Sequence, residues 1–335
     1  MKKYLKFWKM GLLMLALVTV STACSDDDDD KVTPPGQEQV DPSVPRAVVA
    51  SFEQEFPKAT NVRWKQKDGY YVASFSLPAV GRSDDRRPNQ AWFLPNGTWT
   101  MSELDLPIQV WEIDATYAPV LAAWKTSTYA QQGFRIDEIE VITRQGSKEP
   151  VVKLEIEKGK EEYDLFFTLE GVLVKAVADT DGNDHDDWDG PHTGSLPCPA
   201  EILKYVETKY PGAILVDFEQ DRDYGTLQYE ATILTKMGTF NVEKELIFDE
   251  HFTFLRADIE VADSVLVGLL QKLLSPEQKT YLENLTGEKN PAEWDFEIIE
   301  NEKGLLTVYV EDQNDRMVEL VKDFDPSALL EPSNK

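Results

Sequence analysis

The chain has 335 residues, which at roughly 100–200 residues per domain makes room for two domains, and its 15 Phe, 12 Tyr and 8 Trp supply ordinary cores, excluding a disordered chain. With 34 basic against 61 acidic residues the formal charge is −27, which repels nucleic acid and anionic lipid and excludes a phosphate-backbone partner. Three histidines (His185, His192, His251) and two cysteines leave few parts for the commonest general-base and zinc chemistries.

In chain order, Met1 to Lys9 is a basic n-region, and Met10 to Ala23 is an apolar run too short to span a bilayer but suited to a signal-peptide core. It ends Ser21-Thr22-Ala23-Cys24, small residues before a cysteine, which resembles a bacterial lipobox in which Cys24 is acylated and residues 1–23 are removed. Asp26 to Asp30 follow as a solvated run. The Cys-Ser-Asp-Asp string looks like the export signal of surface lipoproteins in Bacteroidetes-type bacteria; a plain solubilising tether is the alternative. The expectation is an outer-membrane lipoprotein held through its N-terminal lipid alone, surface-exposed rather than periplasmic. Residues 24–44, acidic and then Pro-containing, read as its tether.

A helical period then brings Val48, Val49, Phe52 and Phe56 to one face and stops at Pro57. Strands follow at Asn61–Gln66, Tyr70–Leu77, Gln90–Leu94 and Thr98–Met101, with turn signals at Lys67-Asp68-Gly69 and Pro95-Asn96-Gly97. A second helical stretch, Tyr117 to Tyr129, precedes strands at Arg135–Arg144, Pro150–Glu157, Glu162–Leu169 and Val172–Ala178. The unit is a helix followed by an antiparallel meander.

The same spacing returns 154 residues later: Phe56-Pro57-Lys58-Ala59 with Val62 and Trp64 falls on Tyr210-Pro211-Gly212-Ala213 with Val216 and Phe218, and Val48 and Phe52 fall on Ile202 and Val206. Tyr70 and Phe75 match Tyr224 and Tyr229, and Phe93 matches Phe248 at an offset of 155. Ser264–Leu274 and Pro276–Leu285 look helical, and Trp294–Glu300, Gly304–Glu311 and Arg316–Asp323 look like strands. The predicted class is α+β, in two tandem domains of helix-plus-meander repeats. Domain 1 spans residues 45–178, an acidic linker 179–195, domain 2 residues 196–326 and a C-terminal tail 327–335.

The linker places six aspartates in the eleven residues Asp179 to Asp189, with Asp179, Asp181 and Asn183 at positions 1, 3 and 5 of a calcium-loop register. Glycine stands at position 4 and Gly190 at position 12, where the register needs glycine at 6 and a bidentate glutamate at 12. A self-repelling spacer between the domains is the simpler reading, and no metal or cofactor is expected. With Cys24 acylated, Cys198 has no partner for a disulfide. Although His192 is near, Pro197-Cys198-Pro199 reads as an inert thiol at a helix start. Glu243 with Glu245, and Glu155 with Glu157, fall at strand spacing on one face. Paired carboxylates suit glycosidase chemistry, but they suit a solvated sheet face equally in so acidic a chain. Gly-x-Ser-x-Gly, His-Glu-x-x-His and a Gly-rich phosphate loop are all missing from the sequence.

The string Phe52-x-x-x-Phe56-Pro57-x-Ala59-x-x-Val62-x-Trp64, then Tyr70-Tyr71-x-x-x-Phe75 and Trp92-Phe93-x-x-x-Gly97-x-Trp99, resembles the beta-lactamase-inhibitor-like, PepSY-like domain of Bacteroidetes lipoproteins. The likeness covers Pro45 to Ala178 well and Pro197 to Asp323 more loosely, with Trp64 and Trp92 replaced by Phe218 and Leu246. It implies helices packed on antiparallel sheet and a binding or inhibitory module without catalytic residues. The expected partner is a protein, with glycan or peptide capture in a nutrient-uptake system as the alternative. Tyr70 and Trp99 are the candidate contact aromatics, while Trp64 and Trp92 suit the core. Arg82, Arg86 and Arg87 form a basic loop tip on an acidic body and are the candidate contacts for an acidic partner.

Overall fold

A computed structural model describes residues 43–78, 88–179, 196–223, 226–237, 240–260, 275–290, 294–314 and 316–325. Helix α1 (Arg46–Glu55) buries Val48 and Phe52, one turn apart, and leads into strands β1 (Thr60–Lys67), β2 (Tyr70–Ser76), β3 (Asn89–Phe93) and β4 (Trp99–Asp105). Three short helices, α2 (Ile108–Ile113), α3 (Ala118–Thr126) and α4 (Thr128–Gln132), precede β5 (Arg135–Arg144), β6 (Val151–Lys158), β7 (Glu161–Thr168) and β8 (Leu173–Asp179). These eight strands form one antiparallel sheet in sequence order, because β4 pairs with β5 and fuses the two meanders.

The second half repeats the plan. Helix α5 (Ala200–Lys209) is followed by β9 (Ile214–Asp223), β10 (Thr226–Met237), β11 (Phe240–Asp249) and β12 (Phe254–Glu260). Helix α6 (Pro276–Thr286), started by a capping box between Ser275 and Gln278, precedes β13 (Phe296–Glu300), β14 (Leu306–Glu311) and β15 (Met317–Phe324). The seven strands form a second antiparallel sheet, again in sequence order. The fold is α+β, with helices laid on antiparallel sheet in each half.

The duplication seen in the sequence is present in the helices and their turns, but the first hairpin of the second half is longer: Tyr229 stands opposite Phe248 as Tyr71 stands opposite Phe93, so Tyr229 corresponds to Tyr71 and not to Phe75. Pro45 and Pro199 precede α1 and α5 with extended backbone. Phe56 and Tyr210 end them, each donating its backbone N–H to the carbonyl four residues back. Ala59 then donates to Phe56 and Ala213 to Tyr210, both at 3.0 Å. In the third turn, Gly97 donates to Leu94 in the first half and Phe252 to Asp249 in the second, at 2.8 and 3.0 Å.

The turn requires positive φ, which glycine adopts freely and a bulky residue resists. Gly97 sits at +89° with its Cα hard against α1: a Cβ would stand 2.7 Å from the Ala47 carbonyl oxygen. Gly171, at +81°, meets Pro119 of α3 in the same way, at 2.5 Å. Phe252 occupies the equivalent place at φ 61° and uses its ring instead, packing 5.0 Å from Tyr229. Alanine at Gly69, where φ is +85° but nothing lies within 4 Å, is expected to cost about 1–2 kcal/mol of backbone strain. Alanine at Gly97 or Gly171 is expected to cost more, because the helix must also move. Urea denaturation of the three variants checks this, and equal losses would show that the helix contact is dispensable.

Helices cover one face of each sheet. Against the first, Phe52 meets Trp64, Phe75 and Phe93 in edge-to-face contacts at 5.3, 5.0 and 6.2 Å. Trp111, Val120 and Trp124 pack on Val152, Leu154, Leu165 and Phe167. Against the second, Ile202, Val206 and Tyr210 pack on Leu215, Phe218, Leu246 and Phe248. The other faces of the two sheets meet each other. Val72, Trp92, Met101, Ile142, Val151, Phe166 and Val174 of the first share one buried cluster with Val216 of the second, flanked by Leu196, Ile214 and Leu234.

Candidate interaction site

Alternation along the strands decides which side chains enter this seam. On β5, Ile139 faces the helices while Ile142 and Arg144 turn the other way; on β6, Val152, Leu154 and Ile156 face the helices while Val151 and Lys153 turn away. Two cations so placed must find anions, since an unpaired buried charge is costly.

Arg144, whose side chain is 2 % exposed, spans the seam. Its Nη1 donates to the Val216 carbonyl at 2.8 Å, its Nη2 to Asp217 Oδ1 at 3.2 Å and its Nε to the Leu196 carbonyl at 3.4 Å. Lys175 of β8 reaches the same carboxylate at 3.3 Å, Glu219 at 2.7 Å and Glu230 at 4.0 Å. Asp217 also accepts the Phe218 backbone N–H at 2.9 Å. Deeper on the first sheet, Lys153 pairs with Glu140 at 2.5 Å and Asp164 at 3.7 Å, beside buried Glu103.

Acid outweighs base along this seam. Burial, together with the neighbouring Glu140, pushes the Glu103 carboxyl up to about 8. On the second sheet, burial and facing carboxylates push Glu243 up to about 8 and Glu230 up to about 7, and raise Glu245 as well. Burial also raises Asp217, in spite of Lys175 and Arg144. Glu243 and Glu245 thus lie among like charges, including Glu260. Glu155 is buried whereas Glu157 is exposed, so that pair does not form a site.

The candidate residues read from the sequence are dispersed. Tyr70 and Trp99 lie on opposite faces of the first sheet and so do not share one contact patch. Tyr70 is half-buried in the seam with its ring edge-to-face on Trp92 at 5.9 Å, and burial raises its phenol. Trp99 is half-buried in the α1 core beside Phe93 and Trp64. Trp92 is fully buried in the seam, and Trp64 is partly buried against the α1 core. Cys198 packs at the α5 core, and burial pushes its thiol up, opposite to what a nucleophile needs. Asp179 ends β8 opposite Glu162. Cys24, Arg82, Arg86, Arg87, Asp181 and Asn183 lie outside the described residues. Among the described residues no group of three or more His, Cys, Asp or Glu is placed to hold a metal ion, and no helix is long and apolar enough to cross a membrane.

Sequence reasoning passed over Arg144, Lys153 and Lys175. A signal existed: Val151, Lys153 and Glu155 share the seam side of a strand whose other side is wholly apolar, which is unusual for a face left to water.

Comparison with known proteins places this geometry. Residues 69–175, from the start of β2 into β8, match the family model described as "Putative beta-lactamase-inhibitor-like, PepSY-like". Over that stretch the chain is similar to the PepSY-like family. The matched segment carries Arg144, Lys153 and Lys175, and their seam partners Asp217 and Glu219 lie beyond it. Among solved structures, the chain is similar to a BLIP-like protein from Bacteroides fragilis, with 27% identity over 44% of this chain and 92% of that one and a TM-score of 0.34. It is also similar to a DUF2874 family protein from Bacteroides ovatus, with 26% identity over 42% of this chain and 92% of that one and a TM-score of 0.34. No curated protein matches.

Proposed function

We propose that this protein is a lipid-anchored envelope protein that binds another macromolecule and does no chemistry, its specific form being inhibition of a secreted or envelope hydrolase. The observation that carries the reading is the PepSY-like, beta-lactamase-inhibitor-like match over residues 69–175. The seam adds support, because Arg144, Lys153 and Lys175 are engaged with facing carboxylates as structural ion pairs. The binding surface is then built from loops and strand ends, since helices cover one face of the first sheet and the second half meets the other.

The test is to immobilise residues 31–335 and capture proteins from the secreted and envelope fractions of the source culture. One partner bound in fixed proportion, with saturable inhibition of its activity, supports the inhibitor form. Capture of oligosaccharide or peptide in place of protein favours an accessory role in nutrient uptake, and no ligand of any class would sink the binding reading.

The anchor has its own test. Cys24→Ser is expected to move the protein from the membrane fraction to the soluble fraction and to abolish incorporation of labelled fatty acid. Unchanged fractionation would remove the lipoprotein assignment. Protease added to intact cells distinguishes surface display, in which the chain is degraded, from periplasmic retention, in which it survives.

A further inference from the structure

The seam carries several buried charged groups with more acid than base, whereas the α5 side of the second sheet holds the balanced pair Lys244 and Glu300 beside Tyr210. On the first sheet Glu103 of β4 faces Glu140 and Arg144 of β5, Lys153 of β6 and, across the seam, Asp217 of β9. Lys153 faces Asp164 of β7 as well. Lys175 of β8 faces Asp217 and Glu219 of β9 and Glu230 of β10. Glu243 of β11 faces Glu245 on its own strand, Glu230 of β10, Glu260 of β12 and Lys175, while Glu245 also faces Asp258 of β12. Tyr70 and Cys198 face the same region, and burial keeps both neutral. Three cations, Arg144, Lys153 and Lys175, thus serve a larger set of half-buried and buried carboxylates drawn from both sheets.

We propose that the seam is a pH-dependent latch: Arg144 and Lys175 hold the two sheets face to face, and the surplus carboxylates loosen that contact as pH rises, baring the Val72, Trp92, Met101, Ile142 and Phe166 face of the first sheet. The latch does not depend on the identity of any bound partner. The sign follows from proton linkage. In the closed seam Glu103 and Glu243 titrate near 8 and Glu230 near 7, whereas in a separated, solvated state they would titrate near the ordinary ~4.3. The closed state therefore holds protons that the open state releases. Closure is strongest below the ordinary carboxylate range, weakens as pH climbs to about 8, and levels off above it. Despite burial, the facing acids hold Lys153 and Lys175 above the ordinary lysine range, so what changes across this window is the ionisation of the carboxylates.

The experiment is hydroxyl-radical footprinting of the chain freed of its leader, read by mass spectrometry between about pH 5 and about pH 9, with small-angle scattering on the same samples. Oxidation of Trp92 and Met101 is expected to rise at least about tenfold across that range, as one carboxylate displaced by one pKa unit already predicts. The radius of gyration is expected to increase reversibly, while Phe52 and Phe93 on the helix side stay protected. Glu103→Gln, Glu230→Gln and Glu243→Gln together are expected to flatten the rise, and Glu157→Gln, an exposed control, to leave it unchanged. Flat oxidation of Trp92 and Met101 would overturn the proposal. So would a rise shared by Phe52 and Phe93, which means global unfolding, or a rise that survives the triple substitution.

Discussion

Replacing Arg144 with methionine is expected to cost about 3–5 kcal/mol of stability, the usual penalty for breaking a buried ion pair by removing one partner. Met is close in length and fills the apolar part of the site, so the loss reports charge and hydrogen bonding more than volume. Asp217, 2 % exposed, would keep one backbone donor and Lys175 but lose its bidentate-capable partner, and the Val216 carbonyl would lose its 2.8 Å donor. The decisive comparison is the double variant Arg144→Met with Asp217→Leu. If the single loss comes from a stranded carboxylate, the double variant recovers most of it, since a buried pair replaced by apolar groups of similar volume is often neutral or stabilising. Urea denaturation of the four members of this cycle gives the coupling energy. A double variant as unstable as the sum of its parts would show that Arg144 acts by filling space alone.

Replacing Lys153 with methionine should cost a similar amount, again about 3–5 kcal/mol, but with a pH signature. Lys153 is buried and stands against Glu140 and Asp164 with Glu103 close by, so its loss leaves acids facing acids. Protonation relieves that repulsion. The defect should therefore be largest near pH 8, where Glu103 is ionising, and shrink toward pH 5, where it is neutral in the folded state. In the parent, burial and the facing acids act on Lys153 in opposite directions and the acids prevail, holding its ammonium above the ordinary lysine range and charged across this window. A loss independent of pH would assign the residue a packing role only.

Much of the fold was legible because it rests on local pattern. Val48 and Phe52 at helical spacing, Pro57 as a stop, and Gly69 and Gly97 as turns locate α1 and its meander almost to the residue. Arg135–Arg144 is a strand with the predicted bounds. The region before β5 is less simple than its period suggests: it breaks into α2, α3 and α4, with Asp114 extended between the first two and Ser127 capping the third. Those breaks depend on single-residue backbone choices that a hydrophobic period does not encode.

The candidate site was much less legible. Tyr70 and Trp99 looked equivalent as exposed aromatics, yet they fall on opposite faces, because a one-residue change of register between β3 and β4 at Trp92 and Phe93 resets the alternation. Lys153 became a buried cation only once the second sheet covered that face.

By itself the sequence determined the helix-and-meander unit, its repetition at an offset of 154, the likeness of residues 69–175 to the PepSY-like domain and the surplus of acid over base. Each of these follows from residue type and short-range spacing. Only the tertiary structure decided that the sheets meet on their uncovered faces, and that Arg144 finds Asp217 across 73 residues of chain. A period of two states that a strand has two faces and which residues share them. It does not state what each face meets, because that depends on contacts between segments far apart in the chain.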